Sequence, residues 1–210
     1  MCKKILVNYN FTPTKDWIGE DYIIYDRSDD GIDHLTEFDP AKIIKTENVG
    51  QVDFDKLNYL IDNYYNLPDV FLWGKTNLFK YITKDEYYKV KDNTTFTPLL
   101  TQTHSIYSDN NGAVNYYSGG MYHERNDNWF FTNASSKYVK TFNEWCHGFY
   151  LPIQSYVPFP PGGNYILTKE TVHKYARDYY IKMAEMLPYC REPVEAWCAE
   201  RSYQLMWGNQ

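Results

Sequence analysis

Residues 53–73, DFDKLNYLIDNYYNLPDVFLW, show the clearest succession of a helix and a strand in this chain. Apolar residues recur every three or four positions, the spacing of one helix face; they are Phe54, Leu57, Leu60, Ile61 and Tyr64. Asp53 is the predicted N-cap, and Pro68 blocks continuation of the helix. The run DVFLW at 69–73 then predicts a buried strand that ends at Gly74.

Shorter apolar runs before this stretch predict more of the same pattern. Residues 4–9 (KILVNY) and 22–25 (YIIY) indicate two buried strands. Residues 32–52 have weak periodicity and predict a loop with a helical turn. Strands and helices that alternate at short spacing indicate one α/β domain, with a central mixed, mostly parallel sheet flanked by helices.

The middle of the chain predicts short elements. A helix is expected over 76–82, and a second one follows because Thr83 and Glu86 form a capping box. Residues 103–107 and 113–117 flank an Asn-Gly pair, which favours a hairpin because both turn positions require positive φ.

The last third predicts one strand and two helices. Residues 118–140 are rich in loop-forming residues and predict no regular element. Residues 164–167 indicate a short strand, after which Thr168 caps a single long helix that Pro188 ends. Pro193 is the predicted first residue of the final helix.

Composition narrows the class of protein. The 210 residues are 43% hydrophobic and carry a net charge of −6 without a basic block, which argues against nucleic acid or an anionic membrane as the main partner. The N-terminus is too polar for a signal peptide, no run approaches a membrane span, and the four cysteines form no CxxC pair. We therefore expect a cytoplasmic protein. Its 22 tyrosines fit either codon bias or a ligand surface.

Two glutamates of the final helix are candidate catalytic residues. Glu200 lies on a face with Trp197, Tyr203 and Trp207, where a carboxylate is either a structural anchor or a functional group with an altered pKa. Glu195 lies in the first turn, about 140° around the helix from Glu200. The two carboxylates are therefore not expected to act as one close pair.

The ends of the first three predicted strands are the default ligand crevice of an open α/β sheet. A base would stack on an aromatic ring there, and a lysine would meet a diphosphate. Turn chemistry explains each single residue equally well, and the chain has no GxGxxG or GxxxxGK[ST] motif. With the glycine turn before residue 164, the candidate ligand-binding residues are Asn8, Tyr9, Asp26, Arg27, Trp73, Lys75, Gly162 and Gly163.

Candidate metal ligands are dispersed. Oxygen and imidazole donors in the irregular middle do not form a motif, and no Asp-x-Asp follows a buried strand; the donors are Asp109, His123, Glu124, Asp127 and His147. The chain also has no GxSxG motif and no Cys/His arrangement of a hydrolase.

Three segments together resemble a known family. They are DKLNYLIDNYYNLPDVFLWG (55–74), PGGNYILTKETVHKYARDYY (161–180) and EPVEAWCAERSYQLMWG (192–208). They resemble a glycosyltransferase-like family, and their layout is similar to compact GT-A type nucleotide-sugar transferases. More narrowly, the chain is similar to the N-terminal domain of chlorella-virus glycosyltransferases that act on the major capsid protein.

The resemblance implies a UDP-sugar donor, dependence on Mn²⁺ or Mg²⁺, and a glycan or glycoprotein acceptor. It implies that the first strands hold the nucleotide, and that the glutamates of the family's last helix correspond to Glu200 and Glu195. Because the Asp-x-Asp signature is missing, Asn77 or Asp109 would have to serve as metal ligand.

The leading hypothesis is thus a metal-dependent hexosyltransferase, with a nucleotide-binding half at 1–100 and a half for acceptor and donor sugar at 101–210. The resemblance also leaves open that this domain is part of a longer chain. A non-catalytic glycan-binding module is the alternative, and an interaction domain of a larger protein is a third interpretation.

Overall fold

The computed structural model describes residues 2–29, 31, 33–101, 106–108 and 114–208, with the backbone alone at 106–108 and 114. The strands are β1 (Lys3–Asn8), β2 (Tyr22–Asp26), β3 (Ile43–Lys45), β4 (Val70–Lys75), β5 (Thr97–Pro98), β6 (Ile106–Ser108), β7 (Val114–Ser118), β8 (Met121–Arg125), β9 (Tyr156–Phe159) and β10 (Tyr165–Thr168). The helices are α1 (Lys15–Ile18), α2 (Gln51–Asp62), α3 (Lys84–Val90), α4 (Phe142–Gly148), α5 (Lys169–Val172), α6 (Arg177–Ala184) and α7 (Val194–Trp207).

The central sheet has the strand order β3-β2-β1-β4-β10-β5. Strands β3, β2, β1 and β4 are parallel, whereas β10 runs antiparallel to both of its neighbours. The chain steps outward from β1 to β3, and α2 then carries it back to β4 on the other side of β1. The strand order therefore reverses between β1 and β4, where open α/β sheets bind ligands.

Both faces of this sheet are buried. Along β1, Ile5 and Val7 belong to one apolar cluster and Leu6 to another, as the two-residue period of a strand requires. The first cluster contains much of α2, α6 and α7, and Tyr203 and Trp207 stack there with ring centroids 5.1 Å apart. The predicted α/β domain with a mixed, mostly parallel sheet is confirmed.

A buried ion pair fastens the smaller sheet, β6-β7-β8-β9, to α7. Arg201 on α7 donates from Nε and Nη2 to the two carboxylate oxygens of Glu124 on β8, at 2.5 and 2.9 Å. The guanidinium carbon lies 4.5 Å from the ring centroid of Phe130 and 4.6 Å from that of Phe159. Such a bidentate pair fixes the orientation of both elements.

The predicted beginning of α2 is wrong. Gly50, with φ of 67°, precedes the helix in a left-handed conformation, and the helix begins at Gln51 rather than after an Asp53 cap. The side chain of Asp53 is buried instead.

Thr83 is confirmed as the N-cap of α3, because its hydroxyl accepts the backbone N–H of Glu86. The reciprocal bond of a capping box is absent here, since the backbone N–H of Thr83 donates to the hydroxyl of Thr101 at 2.7 Å.

The predicted long helix after Thr168 is two helices, α5 and α6. Thr168 does cap α5, but the chain leaves helical geometry at 173–176. The hydroxyl of Tyr180 donates to the carbonyl of Val172, and that of Tyr64 donates to the carbonyl of Tyr175. A continuous helix would use both carbonyls internally, so these tertiary bonds stabilise the break.

Other boundaries also differ from the sequence predictions. The helix predicted over 76–82 is only a 3₁₀ turn at Leu78–Lys80, and Pro193 is the N-cap of α7 rather than its first residue. Strands β3, β5, β8 and β9 were not predicted. Strands β6 and β7 pair antiparallel, as the hairpin prediction requires, but the predicted turn lies outside the described residues.

No helix in the described part of the chain has the length and apolarity to cross a membrane.

Replacement of Gly50 by alanine is predicted to destabilise the fold by about 1–3 kcal/mol, because a side chain there is strained. A Cβ would also lie 2.8 Å from Cβ of Phe54 and 3.0 Å from Cβ of Leu187. Urea denaturation measures the free energy of unfolding. Gly148→Ala is the matched control, since its Cβ meets no atom within 4 Å. Equal stability of the two variants would contradict the prediction.

Candidate functional site

The candidate site lies where the carboxyl ends of β1 and β4 meet the beginning of β10. Gly162 and Gly163, with φ of 92° and 60°, form the turn before β10. The side-chain oxygen of Asn164 accepts the backbone N–H of Lys75 at 2.8 Å, which ties the turn to the end of β4.

Four ionisable side chains surround this glycine turn, and we call them the four-charge cluster. Asp53 and Lys56 come from α2, Lys75 from the end of β4, and Glu200 from α7. Asp53 and Lys56 are buried, whereas the side chain of Glu200 retains 19% of its exposure. The cluster therefore contains two buried side chains, Asp53 and Lys56, and two partly exposed ones, Lys75 and Glu200.

Two side chains of opposite charge hold the two glycines. The ammonium of Lys56 donates to the carbonyl oxygen of Gly163 at 2.5 Å, and the backbone N–H of Gly162 donates to Oε1 of Glu200 at 2.8 Å. A Cβ on Gly162 would lie 2.6 Å from the ring of Tyr81. Only glycine fits this conformation and this space.

Burial and the neighbouring charges shift the pKa values of the cluster. Burial lowers the pKa of Lys56 to about 8, although the charge of Asp53 opposes this effect. Burial would also lower the pKa of Lys75, but Glu200, Tyr81 and Asp53 together outweigh this effect, and the pKa is raised. Burial raises the pKa of Asp53, whose carboxylate accepts a hydrogen bond from Tyr203. Of the two lysines in the cluster, Lys75 is therefore the one that holds its positive charge more strongly.

A cavity of about 410 Å³ opens at the carboxyl ends of β1 and β4. Its volume is in the range of small-molecule sites, and its wall combines three aromatic side chains with two exposed lysines. It is lined by Phe11, Thr12, Thr14, Trp17, Thr76, Asn77, Phe79, Lys80 and Lys84. The arrangement suits a ligand with a planar ring and a negative charge.

The structure engages Asn8 and Asp26 in a buried network. The Asp26 carboxylate accepts the amide of Asn8 at 3.0 Å and the hydroxyl of Ser28 at 2.7 Å, and pairs with Lys45 at 3.0 Å. Burial would raise the pKa of Asp26, but these hydrogen bonds and that of His34 lower it. The predicted ligand role of Asn8 and Asp26 is corrected to a structural one, since both are fully buried.

Arg27 and Trp73 are likewise too buried to contact a ligand. Arg27 pairs with Asp55 at 3.1 Å. The indole of Trp73 donates to the backbone carbonyl of Lys56 at 3.0 Å, and the Lys56 ammonium lies 4.7 Å from its ring centroid. The predicted ligand contacts of Arg27 and Trp73 are therefore corrected: both side chains make contacts within the protein instead.

Tyr9 is the one strand-end aromatic among the predicted residues that stays accessible, with 40% exposure. Its hydroxyl donates to Asp29 at 3.1 Å, and the guanidinium of Arg191 lies 4.8 Å from its ring centroid. Of the predicted ligand-binding and catalytic residues, the structure gathers Lys75, Gly162, Gly163 and Glu200 in one place.

Glu195 is a structural anchor rather than a candidate base. It is fully buried, and its Oε1 accepts the backbone N–H groups of Lys137 at 2.9 Å and Tyr138 at 2.7 Å. The hydroxyl of Tyr189 donates to Oε2 at 2.5 Å. The Glu195 carboxylate thus holds the loop before α4 against the beginning of α7. It takes no part in the four-charge cluster. The predicted catalytic role of Glu195 is therefore corrected to a structural one.

The predicted metal ligands do not form a centre. Within the described ranges, no three His, Cys, Asp or Glu side chains gather in a group that could hold a metal ion. Asn77 turns its Oδ1 away from solvent without a hydrogen-bond partner, and Asp109 lies outside the described residues. The two carboxylates of the cluster stand beside two ammonium groups, so the residues present do not fit a divalent cation.

Sequence reasoning missed Asp53 and Lys56 as site residues. The signal was present, because the two charges are three positions apart on α2 and adjoin its apolar stripe. Asp53 was instead interpreted as the N-cap of α2, so it was not considered a site residue.

Comparison of the chain with protein-family models, with curated proteins and with solved structures found no match. The geometry and chemistry of the site are therefore the basis for its interpretation.

Lys56 is predicted to make stability depend on pH. Because its pKa falls from 10.5 to about 8 on folding, the contribution of Lys56 to the free energy of unfolding should rise by on the order of 1–3 kcal/mol as pH rises from 8 to 10.5. The contribution is lost as pH falls through 8. The buried thiols of Cys146 and Cys198 have raised pKa values and oppose this rise, so the Lys56 contribution is the difference between wild type and Lys56→Met. Urea denaturation across this range measures both slopes, and the slope of Lys56→Met should be the lower one. Lys89→Met, at an exposed position of α3, should keep the wild-type slope; a wild-type slope in Lys56→Met would refute the assignment.

Proposed function

We propose that this protein is a GT-A type glycosyltransferase that moves a sugar from a UDP-sugar to a glycan or glycoprotein acceptor. The four-charge cluster around Gly162 and Gly163 is the observation that carries the proposal. It combines a cation for a departing diphosphate with a partly exposed carboxylate for an acceptor hydroxyl, and the buried glycine turn holds that carboxylate in place. It lies at the reversal of strand order, where open α/β sheets bind ligands.

The cavity beside β1 and β4 supports a nucleoside site. Its volume of about 410 Å³ is large enough for a small ligand, and Phe11, Trp17 and Phe79 line it as aromatic contacts for a base. The exposed ammonium groups of Lys80 and Lys84 lie at its wall and offset the acidic net charge of the chain locally.

Lys75 is the residue that we propose for the diphosphate. It is half-buried at the end of β4, and its raised pKa keeps it charged throughout the physiological range. An ammonium group in a partly desolvated crevice stabilises phosphate charge more strongly than it does in water. Since the donor set does not fit a divalent cation, the lysines supply the neutralising charge in this proposal.

Glu200 is the proposed base. Its Oε1 is held by the N–H of Gly162, and its side chain keeps 19% of its exposure. It would accept the proton of the acceptor hydroxyl while that oxygen forms a bond to the anomeric carbon of the donor. The bond from that carbon to the diphosphate oxygen breaks, and UDP leaves with its electron pair. Such a single displacement inverts the anomeric carbon.

Removal of the Lys75 charge is predicted to weaken UDP binding by about tenfold or more, the effect of losing a charge-assisted hydrogen bond. Isothermal titration of UDP into wild type and Lys75→Met measures it, with Lys89→Met as the control. Titrations with Mn²⁺ and with a chelator belong to the same experiment, because a strict need for metal would contradict the lysine-based site. Absence of UDP binding under both conditions would refute the proposed function.

Glu200→Gln is predicted to slow UDP release from a UDP-sugar by about 100-fold or more, the usual contribution of a general base. UDP affinity should be unchanged, because the glutamine oxygen still accepts the N–H of Gly162. The measurement is UDP released from UDP-glucose, UDP-galactose and UDP-N-acetylglucosamine, with water or added sugar as acceptor. Glu192→Gln, at an exposed position before α7, is the control. Full turnover by Glu200→Gln would remove this residue from the role.

A further inference from the structure

Helix α7 is buried around most of its circumference and leaves one stripe open. Eleven of its residues are buried, and the partly exposed ones are Trp197, Glu200 and Gln204. These positions differ by three and four residues, so they form one line along the helix. The proposed base is therefore the centre of the only open stripe on α7, and its neighbour on that stripe is an indole.

A second indole widens this surface. Trp129 is 44% exposed, and its ring centroid lies 5.6 Å from that of Trp197. It follows Asn128, whose φ of 61° is unusual for a residue other than glycine, and its backbone N–H donates to Asp127 at 3.2 Å. A fixed backbone therefore holds a large apolar ring toward solvent, an arrangement typical of ligand sites.

The two indoles adjoin the proposed base. Trp197 precedes Glu200 by three residues, about 4.5 Å along the helix axis. The Arg201 guanidinium lies close to both Trp129 and Glu200. Its carbon is 5.9 Å from the Trp129 ring centroid, and its Nη1 is 3.7 Å from Oε2 of Glu200. A molecule that rests on Trp129 is therefore within reach of the Glu200 carboxylate.

We propose that Trp129 and Trp197 form the acceptor subsite and bind the C–H face of a neutral sugar ring, with a hydroxyl directed to Glu200. The ligand is neutral because the cation at this surface, Arg201, already donates to both carboxylate oxygens of Glu124. A sugar ring combines an apolar face for the indoles with hydroxyls for the carboxylate. The assignment of the hydroxyl to Glu200 rests on the proposed function, whereas sugar binding by the indoles does not.

The test is saturation-transfer NMR with methyl glycosides of glucose, galactose, mannose, xylose, fucose and N-acetylglucosamine, with and without saturating UDP. At least one glycoside should receive saturation most strongly on the ring face that carries axial hydrogens. Trp129→Ala should weaken its binding about tenfold or more, and Trp129→Phe should recover part of the loss. Tyr88→Ala is the matched control, because Tyr88 on α3 has 50% exposure. Thermal unfolding checks that each variant is folded.

The outcomes separate this inference from the proposed function. If no glycoside binds in either condition, or if Trp129→Ala binds as wild type does, the subsite is refuted, although UDP binding can still hold. If sugars bind through Trp129 but UDP does not bind, the subsite stands and the protein is a glycan-binding module rather than a transferase. Preferential binding of UDP itself to the indoles, lost in Trp129→Ala, also overturns the assignment.

Discussion

The hydrogen bond from the Lys56 ammonium to the Gly163 carbonyl connects most of what defines this molecule. A fully buried ammonium is unfavourable unless its charge and donors are satisfied. Asp53, the carbonyl of Gly163 and the face of Trp73 supply that environment, and each belongs to a different element around the sheet. The position of α2, the turn before β10 and the end of β4 are thereby linked through one side chain.

Helix α7 has two distinct tasks. Tyr203 and Trp207 pack into the apolar layer over the sheet, and Tyr203 also reaches Asp53 with its hydroxyl. Earlier along the helix, Glu200 accepts the N–H of Gly162 and Arg201 makes the ion pair to the smaller sheet. Because one rigid helix carries the core contact, the carboxylate and the attachment of a second sheet, the geometry of the crevice depends on how this helix is packed.

The sequence was sufficient for the parallel strands β1, β2 and β4 and for α3, since apolar runs and a threonine N-cap are local signals. It failed where distant contacts decide the backbone. The break between α5 and α6 depends on hydroxyls of Tyr64 and Tyr180, and the beginning of α2 depends on a left-handed Gly50.

The same distinction holds for the site. Lys75, Glu200 and the two glycines were predicted because they end strands or stand out on an aromatic face. Asp26 and Glu195 have the same residue types, but their carboxylates are satisfied by neighbours that no local pattern shows.

The buried network around Asp26 has a consequence for how the crevice meets a ligand. Asn8 at the end of β1, Asp26 at the end of β2, Lys45 at the end of β3 and Thr76 just after β4 are joined by side-chain hydrogen bonds. The rim is thus rigid before any ligand arrives, so little conformational entropy is lost when one binds. We expect association to resemble a lock-and-key encounter whose rate follows diffusion, rather than a slow closure around the ligand.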